Sequence, residues 1–379
     1  MSKKEKRKNL SISEFILLVL NYLAAITLIF ALLSPYVSPA KFWIFAFFGL
    51  GFPYIILVNG IFVIFWIFKK RKYFLISLIL LLIGWNTYER YFQFKGEEEE
   101  IAGIKIKITS YNVRVFNFCD SEEEQKLLKN FYSFINIESP DILCLQEFYS
   151  DKNISEPPEL NIPQSMGSDY SAFSKYYLFQ TQRNYSIVTF SKYPVLNEGS
   201  IRFRNETKSF CLFTDILIDI DTIRIYNVHL ESIQLSEDDY LFVSEIASAN
   251  KKKNLKEKSA KIYYKLKYAF KSRAKQVDIL SEHIKKSPYP VIICGDFNDT
   301  PSSYSYNVLS ENMKDSFIEG GKGYGKTYDG NLPALLRIDY VLHDDNFISC
   351  DFETSWIELS DHYPVSTNLI INKLGDKGE

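Results

Sequence analysis

The feature that most constrains this chain is the near absence of charge over long stretches of its first 90 residues. The segment Phe15–Leu33 has no charged residue over about 19 positions, which is enough for a helix to cross a bilayer. Phe42–Phe68 is also uncharged, and a shorter apolar segment begins at Tyr73. We therefore predict a basic N-terminus at residues 1–12 and a transmembrane region at residues 13–93. Its three helices are expected at about 15–34, 42–68 and 73–90.

Basic residues predict how this region is oriented. They are concentrated before the first segment and at Lys69–Lys72, whereas the loop between the first two segments holds only Lys41. Because positively charged loops stay in the cytoplasm, we predict an integral protein of the inner or plasma membrane with a cytoplasmic N-terminus. Three crossings place the rest of the chain outside the cytoplasm; if the third segment does not cross, that part is cytoplasmic. A cleaved signal peptide is the alternative for the first segment, and the two apolar segments that follow argue against it.

The remaining sequence has the pattern of a soluble domain. An acidic linker is expected at 94–103, a domain at 104–372 and a tail at 373–379. Ile106, Ile108 and Asn112 share one face of a strand, because the sequence alternates with period two there. Several such segments with few helices between them predict an α/β (α+β) fold, a four-layer α/β sandwich of two packed mixed β-sheets flanked by helices. Strands are expected at 104–113, 141–147, 185–190, 210–219, 222–230, 291–296, 337–342 and 362–371.

A strongly basic segment interrupts the series of strands. Residues 251–275 hold about eleven basic residues and one acid, within a helical insertion expected at about 236–286. Apolar residues recur at helical spacing from Ile262 to Ile284, which predicts a helix over about 258–286. The charges have two open interpretations, a solvated face or a surface that contacts anionic lipid or an anionic substrate. A lipid bilayer is a predicted partner, and no obligate protein partner is inferred.

The cysteines and two of the histidines suggest no chemistry of their own. Cys144 and Cys294 lie in strand-like apolar runs and are expected to be small buried hydrophobes. Five cysteines without close spacing argue against a disulfide framework or a zinc site. His283 and His343 are expected to be solvated.

Polar residues gather where the predicted strands end, and in sandwiches with covered sheets such ends converge on sites. Each alone has an ordinary explanation as a turn residue, a surface carboxylate or a core histidine. Asp296 and Asn298 are two residues apart, so on an extended chain both side chains face the same way. The whole set comprises Asn112, Glu147, His229, Asp296, Asn298, Asp339, Asp361 and His362.

The local contexts of these residues match one family in chain order. SYNVR, LQE, NVHL, GDFN, RIDYV and SDHYP resemble the motifs of the endonuclease/exonuclease/phosphatase superfamily. That superfamily includes DNase I-like nucleases, inositol-phosphate phosphatases and neutral sphingomyelinases. The resemblance covers about residues 104–372 and leaves out the apolar segments and the basic helix. It implies a metal-dependent hydrolase of phosphoesters.

Phosphoester hydrolysis explains why a metal is expected. Negative charge develops on the phosphoryl and leaving oxygens, and a hard cation neutralises it. Mg²⁺ favours one or two carboxylates and waters, and Mn²⁺ is a possible substitute. Glu147 is the best candidate ligand, with Asn112 supplying a neutral oxygen beside it. The resemblance adds Asp361 to the same or a second metal position.

The remaining residues are candidates for proton transfer and for binding the phosphate. His362 is expected to donate to the phosphate, and the resemblance makes Asp339 the carboxylate that orients it and raises its pKa. His229 matches a second family histidine on the phosphate or leaving-group side. Asp296 is expected to deprotonate the attacking water or to handle the leaving-group proton. Asn298 is expected to donate its amide hydrogens to the phosphoryl oxygen or to the nucleophile.

The sequence as a whole predicts a membrane-anchored, Mg²⁺-dependent phosphoester hydrolase. Its substrate is either a nucleic acid, cleaved outside the cytoplasm, or a phospholipid or sphingolipid headgroup, cleaved by a sphingomyelinase-like phosphodiesterase. Outside the basic segment the domain has more acids than bases, which disfavours long nucleic acids. A non-catalytic membrane-bound binding module is the third hypothesis, from a different class.

Overall fold

The computed structural model of this chain describes residues 10–94, 103–114, 122–149, 158–167, 170–177, 184–203, 209–247, 255–330 and 336–371. The chain divides into two compact units. The first is Met1–Tyr88 with Ser302–Tyr304, and the second comprises Glu89–Pro301 and Ser305–Glu379. The predicted tail, most of the acidic linker and the lysines at 251–253 lie outside the described residues.

The first unit is built from apolar helices. Ser11 caps the first of them, because its hydroxyl accepts from the Glu14 amide while the Glu14 carboxylate accepts from the Ser11 amide. Large apolar side chains remain exposed, including Phe15 at 59% and Ile61 at 57%. The helices are α1 (Ile12–Leu33), α2 (Pro39–Phe42), α3 (Ile44–Leu50), α4 (Phe52–Phe68), α5 (Phe74–Ile83) and α6 (Trp85–Tyr88), with a 3₁₀ turn at Ser34–Tyr36.

A buried polar cluster joins three of these helices. The Ser77 hydroxyl on α5 lies 2.7 Å from Asn21 Oδ1 on α1 and 2.9 Å from Asn59 Oδ1 on α4. The Asn59 amide also donates to the Ala24 carbonyl at 3.0 Å. Polar contacts of this kind hold helices together where apolar packing alone gives no preference between neighbours.

The number of membrane-spanning helices differs from the three expected. Among the described residues, one helical segment, Ile12–Tyr36, is long and apolar enough to cross a bilayer by itself. Helices α3 and α4 meet that test only together, and they are bent by 71°. The bend follows from Gly51, which ends α3, and from Pro53, which lies in the first turn of α4 and has no amide hydrogen. Helix α5 has only 10 residues before Gly84 ends it. The expectation of three spans is therefore corrected to one clear candidate, or two if the bent pair is one span; signal sequences pass the same test.

The second unit contains two six-stranded sheets. The first sheet has the order β13 (Phe347–Thr354), β14 (Val365–Ile371), β2 (Ile104–Asn112), β3 (Ile142–Tyr149), β5 (Asn184–Ser191), β4 (Tyr170–Tyr177). The second has the order β10 (Lys314–Asp315), β12 (Asp339–His343), β9 (Val291–Asp296), β8 (Asp221–His229), β7 (Phe210–Ile218), β6 (Val195–Arg202). Among the described strands, only β2–β3 and β8–β9 pair in parallel, so both sheets are mixed, as predicted. A small sheet pairs β1 (Phe92–Gln93) with β11 (Gly323–Tyr324).

The apolar core lies between the two sheets and follows the predicted alternation. Ile106 and Ile108 of the first sheet pack in one cluster with Ile223, Ile225 and Ile292 of the second. The opposite face of the first sheet packs on helices, and on the second sheet Tyr226 meets His283 of a helix at 2.9 Å. Helices therefore cover both sheets, which confirms the α/β sandwich. They are α7 (Glu122–Glu138), α8 (Pro158–Met166), α9 (Glu237–Ala247), α10 (Leu255–Ile284), α11 (Tyr304–Leu309) and α12 (Ser316–Gly320).

All eight predicted strands are present, but three longer strands were missed. Strands β4, β6 and β13 lie at sheet edges. The sequence of β6, VLNEGSIR, has mostly exposed positions and no apolar alternation to detect. Edge strands are paired on one side only, so they need less apolar sequence than central ones.

The basic helix begins and ends close to its predicted bounds and is packed along only half its length. Phe270, Val277 and Leu280 are buried in the C-terminal half of α10, whereas Leu255 and Tyr264 in the N-terminal half are exposed. Lys265 of this exposed half donates to Asp239 of α9 at 2.7 Å.

Two histidines expected to be solvated are in contact with other groups. His343 is fully buried at the end of β12, with Nε2 3.0 Å from Glu319 Oε2 and Nδ1 2.9 Å from the Asp344 carbonyl. His283 is half-buried against Tyr226. Their sequence contexts, a loop-like DD pair and a basic helix, gave no sign of these partners. The expectation that Cys144 and Cys294 are small buried hydrophobes is confirmed, since both are fully buried. Among the described residues, Cys144, Cys211, Cys294 and Cys350 are free thiols.

Gly295 fixes the close approach of β9 to β8. Its φ is +133°, and a Cβ placed there would lie 2.0 Å from the Val228 carbonyl oxygen, so no other residue fits without displacing the backbone.

We expect Gly295→Ala to lower the free energy of unfolding by at least about 3 kcal/mol, because the clash adds to the strain of a positive φ. The matched control is Gly167→Ala, where φ is +64° and no atom lies within 4 Å. Strain alone should cost about 1 kcal/mol there. Urea unfolding of the purified chain measures both; equal losses would contradict the assigned role of the Val228 contact.

Candidate active site

The structure brings all eight predicted site residues together at one end of the sandwich. The parallel pairs end beside one another, which places Asn112 and Glu147 of the first sheet opposite His229 and Asp296 of the second. Asp339 pairs with Asp296 across β12 and β9. The residues of the loop before β14, Asp361 and His362, and the turn residue Asn298 complete the group.

Asp296 lies at the centre of this group and is only 1% exposed. Its Oδ2 accepts from Asn112 Nδ2 at 3.0 Å and from Asn298 Nδ2 at 3.0 Å, and its Oδ1 accepts from the Asn298 amide at 2.7 Å. His362 Nε2 lies 3.7 Å and His229 Nε2 3.8 Å from Oδ2. Burial raises the pKa of Asp296 to about 6, with the nearby imidazoles opposing the rise and Asp339 adding to it.

Asn298 reaches this position by a turn and not by an extended chain. Its φ is +51°, in the left-handed region that asparagine tolerates better than most residues. The side chain donates to the Leu230 carbonyl at 3.0 Å as well as to Asp296. The expectation of an extended segment with two parallel side chains is therefore corrected: the two residues meet because the backbone folds back.

His362 and Asp339 form a buried pair. His362 Nδ1 lies 3.0 and 3.1 Å from the two carboxylate oxygens of Asp339, as the sequence interpretation expected. Burial alone would lower the pKa of the ring, but Asp339 and then Asp296 raise it to about 10. His362 is therefore an imidazolium at neutral pH, with Nε2 directed toward Asp296.

A tyrosine pair closes the other side of His362. The Tyr328 ring packs edge-on against the imidazole with centroids 4.9 Å apart, and its hydroxyl meets the Tyr240 hydroxyl of α9 at 2.8 Å. Helix α9, part of the predicted insertion, therefore contacts His362 through two tyrosine side chains.

Glu147 and His229 form the second acid–imidazole pair. Glu147 has a φ of +49° within a register shift of β3, which turns its side chain toward the second sheet. Its Oε1 lies 3.3 Å from His229 Nε2. Burial disfavours the charged carboxylate, but contact with His229 and the charge of His362 lower the pKa of Glu147 to about 2. Burial likewise opposes protonation of His229, yet Glu147 and Asp296 raise the pKa of this ring.

Oxygen donors for a divalent cation are available beside this pair. Glu147 is a carboxylate at neutral pH, which metal ligation requires. Asp361 pairs with Arg114 at 2.9 Å, and the Arg114 amide donates to Asn112 Oδ1 at 3.0 Å. That oxygen keeps a second lone pair, while Asn112 Nδ2 points to Asp296 and, at 3.5 Å, to Glu147. This set suits a hard cation such as Mg²⁺.

A second group of potential ligands shares no residue with the first. Among the described residues, Asp296, Asp339 and His362 offer ligand atoms within 4.8 Å of one another. The Nδ1 atom of His362 already bonds Asp339, and Nε2 faces Asp296, so an acid–imidazole–acid relay accounts for this grouping without a cation.

The sequence interpretation did not identify two buried polar residues that support the site, Gln146 and Asn227. Gln146 Nε2 donates to Asn227 Oδ1 at 2.7 Å, and the Asn227 amide donates to the Val188 carbonyl at 2.9 Å. Both are fully buried, so this network joins the sheets directly beneath Glu147 and His229. The signal was present: Asn227 shares its parity with Ile223 and Ile225, so a polar residue occupies a core position of the alternation.

A cavity of about 330 Å³ opens beside the Glu147–His229 pair, and Arg114 also lines it. Its lining further includes residues that follow His229 and the start of β7, among them Ser209, Glu231 and Gln234.

Comparison with known families agrees with this architecture. The model described as "Endonuclease/Exonuclease/phosphatase family" matches residues 109–362, more than half of the chain. The chain therefore belongs to the endonuclease/exonuclease/phosphatase family, whose members are phosphoester hydrolases and typically use a divalent metal. A domain of unknown function matches residues 14–91, and no curated protein matches the chain.

Solved structures show the same fold at low sequence identity. An endonuclease/exonuclease/phosphatase from Beutenbergia cavernae is 15% identical with a TM-score of 0.52, covering 71% of this chain and 72% of that chain. A family protein from Leptotrichia buccalis is also 15% identical with a TM-score of 0.51, covering 70% of this chain and 99% of that one. At this identity the likeness concerns the fold alone.

We expect Asp339→Asn to lower the titration midpoint of His362 by about 2 pH units in the metal-free protein, because it removes the main charge that raises the pKa. The raised pKa stabilises the fold below the unfolded value of 6.5, and this stabilisation is lost as the pH rises toward about 10. Asp339→Asn should therefore flatten that loss.

Histidine NMR titration is practical because the chain has only four histidines, which single substitutions assign. Asp351→Asn, at a carboxylate paired with Lys105 at 3.3 Å, is the control and should leave the His362 curve in place. An unchanged midpoint in Asp339→Asn would contradict the described pairing.

Proposed function

We propose that this chain is a membrane-anchored, Mg²⁺-dependent phosphoester hydrolase whose active site is the eight-residue group. The observation that supports it most is the placement of Asp296, which accepts from two amides and lies within 4 Å of two imidazoles in a buried site. An aspartate with a purely structural role needs one amide or imidazole partner, whereas an active site needs the two amides and the two imidazoles together.

The cation is proposed to be held by Glu147, Asn112 and Asp361. When bound, it supplies positive charge that neutralises the charge developing on the phosphoryl group. Mn²⁺ would serve the same oxygen donors. In the protein alone, Arg114 balances Asp361 at 2.9 Å, so the site does not leave that carboxylate without a counter-charge.

Asp296 is proposed to take the proton of the attacking water. A pKa of about 6 keeps this group mostly deprotonated at pH 7 and still basic enough to accept a proton. The Asn112 and Asn298 amides orient the carboxylate, and one lone pair of Oδ1 remains to accept the proton.

The two histidines are proposed to bind the phosphoryl group. His362 carries its charge at neutral pH and can donate from Nε2 to a phosphoryl oxygen. His229 Nε2, buried and without a well-aligned hydrogen bond among the described residues, can donate to a second oxygen or to the leaving group. Asp339 and Glu147 hold the two rings and favour their charged forms.

The exposed end of the helix pair α9–α10 favours a lipid headgroup as the substrate. Leu241, Ile246 and Leu255 are exposed there beside the lysines of α10. Apolar side chains combined with basic ones suit an anionic bilayer surface. A nucleic acid remains the competing substrate, and its hallmark is a steep fall of affinity with salt.

We expect Asp296→Asn and His362→Gln each to lower kcat on bis(p-nitrophenyl) phosphate by about 10³-fold, because each removes a proton-transferring or charge-stabilising group. Activity should be lost in EDTA and return with added Mg²⁺. Asp345→Asn, at a surface carboxylate that is 88% exposed, is the matched control. If both active-site variants keep the turnover of the wild type, the enzyme proposal is contradicted and the binding-module hypothesis is favoured.

We also propose that α1 anchors the chain with the N-terminus in the cytoplasm and the catalytic domain outside it. One crossing, or three, gives this arrangement, and two crossings reverse it. Cysteines introduced at Lys70 and Asp345, in a chain with Cys119→Ser and Cys350→Ser, test it with a membrane-impermeant thiol reagent on intact cells.

The labelling pattern counts the crossings. Labelling at both positions indicates one crossing, and labelling at Asp345→Cys alone indicates three. We expect Asp345→Cys to be labelled. If neither cysteine reacts until the cells are opened, the domain is cytoplasmic and the proposed sidedness is wrong.

A further inference from the structure

The residues that directly follow the last apolar helix belong to the second unit. Helix α6 ends at Tyr88, and the second unit begins with the next residue, Glu89. Residues 89–93 lie before the acidic linker and outside the endonuclease/exonuclease/phosphatase match at 109–362. We call them the pre-linker segment. Its contacts within the second unit are directed at the chain segments that carry the site.

The Arg90 side chain of this segment holds the end of the turn that follows β9. Its Nη1 donates to the Pro301 carbonyl at 3.2 Å, and its guanidinium group lies 5.0 Å from the centroid of the Tyr306 ring. Pro301 is buried, and a buried carbonyl oxygen needs a donor from the protein. The turn that Pro301 closes carries Asp296 and Asn298, so Arg90 fixes the end of the turn on which both are placed.

The backbone of Arg90 is bonded to a second segment of the site. Arg337 Nη1 donates to the Arg90 carbonyl at 2.9 Å, and Arg337 is 1% exposed and lies two residues before Asp339. The other end of this guanidinium bonds Asp315, whose Oδ2 accepts from the Tyr306 hydroxyl at 2.7 Å. Because the Tyr306 ring faces Arg90, these contacts form a closed ring.

A third attachment joins the segment to the chain that leads to Tyr328. Strand β1 pairs with β11, and the Gly325 amide donates to the Tyr91 carbonyl at 3.2 Å. Three residues after Gly325, the Tyr328 ring packs against His362. Each of the three attachments therefore ends on a chain segment that carries or contacts a site residue.

Polar contacts determine where this segment lies. None of residues 89–93 is buried, so apolar burial contributes little to holding them. The hydrophobic effect is not directional, whereas a hydrogen bond depends on both distance and angle. The bonds of Arg90 and Tyr91 are therefore suited to fixing the positions of their partners.

We infer that the pre-linker segment is a positioning element of the active site and that Arg90 is its positioning residue. Arg90 acts through Pro301 on the turn of Asp296 and through Arg337 on the strand of Asp339. This inference rests on the proposed function, because it assigns a further residue to the same reaction. It extends the functional unit upstream of the acidic linker.

The kinetic test uses the full chain with bis(p-nitrophenyl) phosphate. We expect Arg90→Ala to lower kcat at least about tenfold and to change KM less than about twofold, because the turn of Asp296 shifts while the histidines keep their places. Arg90→Lys keeps a cation over Tyr306 and one donor, and it should recover most of the loss. Gln93→Ala is the matched control in the same segment; its side chain donates to the Glu89 carbonyl, and kcat should stay at the wild-type value.

Hydrogen exchange measured by mass spectrometry tests the same inference without turnover. The Asn298 amide donates to Asp296 Oδ1 at 2.7 Å, and the Phe297 amide donates to the Ile338 carbonyl at 2.9 Å. We expect the amides of residues 297–300 to exchange at least about tenfold faster in Arg90→Ala, because the end of the turn loses its hold. The distant edge strand β6 should keep its exchange rate.

The opposing outcomes are distinct. A wild-type kcat in Arg90→Ala, even with a lower melting temperature, would show that the segment only adds stability. A loss confined to KM would show that Arg90 acts on substrate binding, and unchanged exchange of the turn would show that Arg90 does not hold it. Each of these results overturns the inference.

Two further outcomes are covered by the same measurements. If Arg90→Ala does not fold, Arg90→Gln, which keeps a donor without the charge, replaces it in both experiments. If the wild type does not hydrolyse bis(p-nitrophenyl) phosphate, the proposed function fails and hydrogen exchange decides the positioning role alone. Faster exchange of the turn then supports that role, and an unchanged rate rejects it.

Discussion

The burial of Asp296 is the constraint on which the rest of the site depends. A carboxyl group with 1% exposure is unstable as an anion unless donors and positive charge surround it. Two asparagine amides and two imidazoles from four different segments supply this surrounding. Since β9, β8, β2 and the loop before β14 must all meet at this point, the chemistry and the packing of the sandwich are coupled.

The charges of the site are arranged in pairs that oppose the cost of burial. His362 with Asp339 and His229 with Glu147 each combine an imidazole and a carboxylate, so that each charge has a counter-charge beside it. Asp296 lies between the pairs, and burial raises its pKa to about 6. Beneath them, the hydrogen bond between Gln146 and Asn227 joins the two sheets, which fixes the distances between site residues that belong to different sheets.

Much of this arrangement was predictable because central strands carry a strong signal. The period-two alternation at Ile106 and Ile108 identified the core face, and six motifs in chain order identified the polar strand ends. The edge strand β6 was missed because its sequence is mostly exposed. The left-handed turn at Asn298 and the partners of His343 depend on backbone geometry and tertiary contacts, which a linear pattern does not encode. The span count failed for a local reason: Gly51 with Pro53 and then Gly84 interrupt apolar segments whose hydropathy is continuous.

The contact from Tyr240 through Tyr328 to His362 has a consequence for how the enzyme can be controlled. Helix α9 belongs to the insertion that the resemblance to the family leaves out in part, yet its hydroxyl group fixes the ring that shields the imidazole from water. A displacement of α9 by a few ångströms would separate the two hydroxyl groups and expose His362 to water without moving any residue of the two sheets. A helix at the periphery of the sandwich is thereby coupled to His362 through two side-chain contacts.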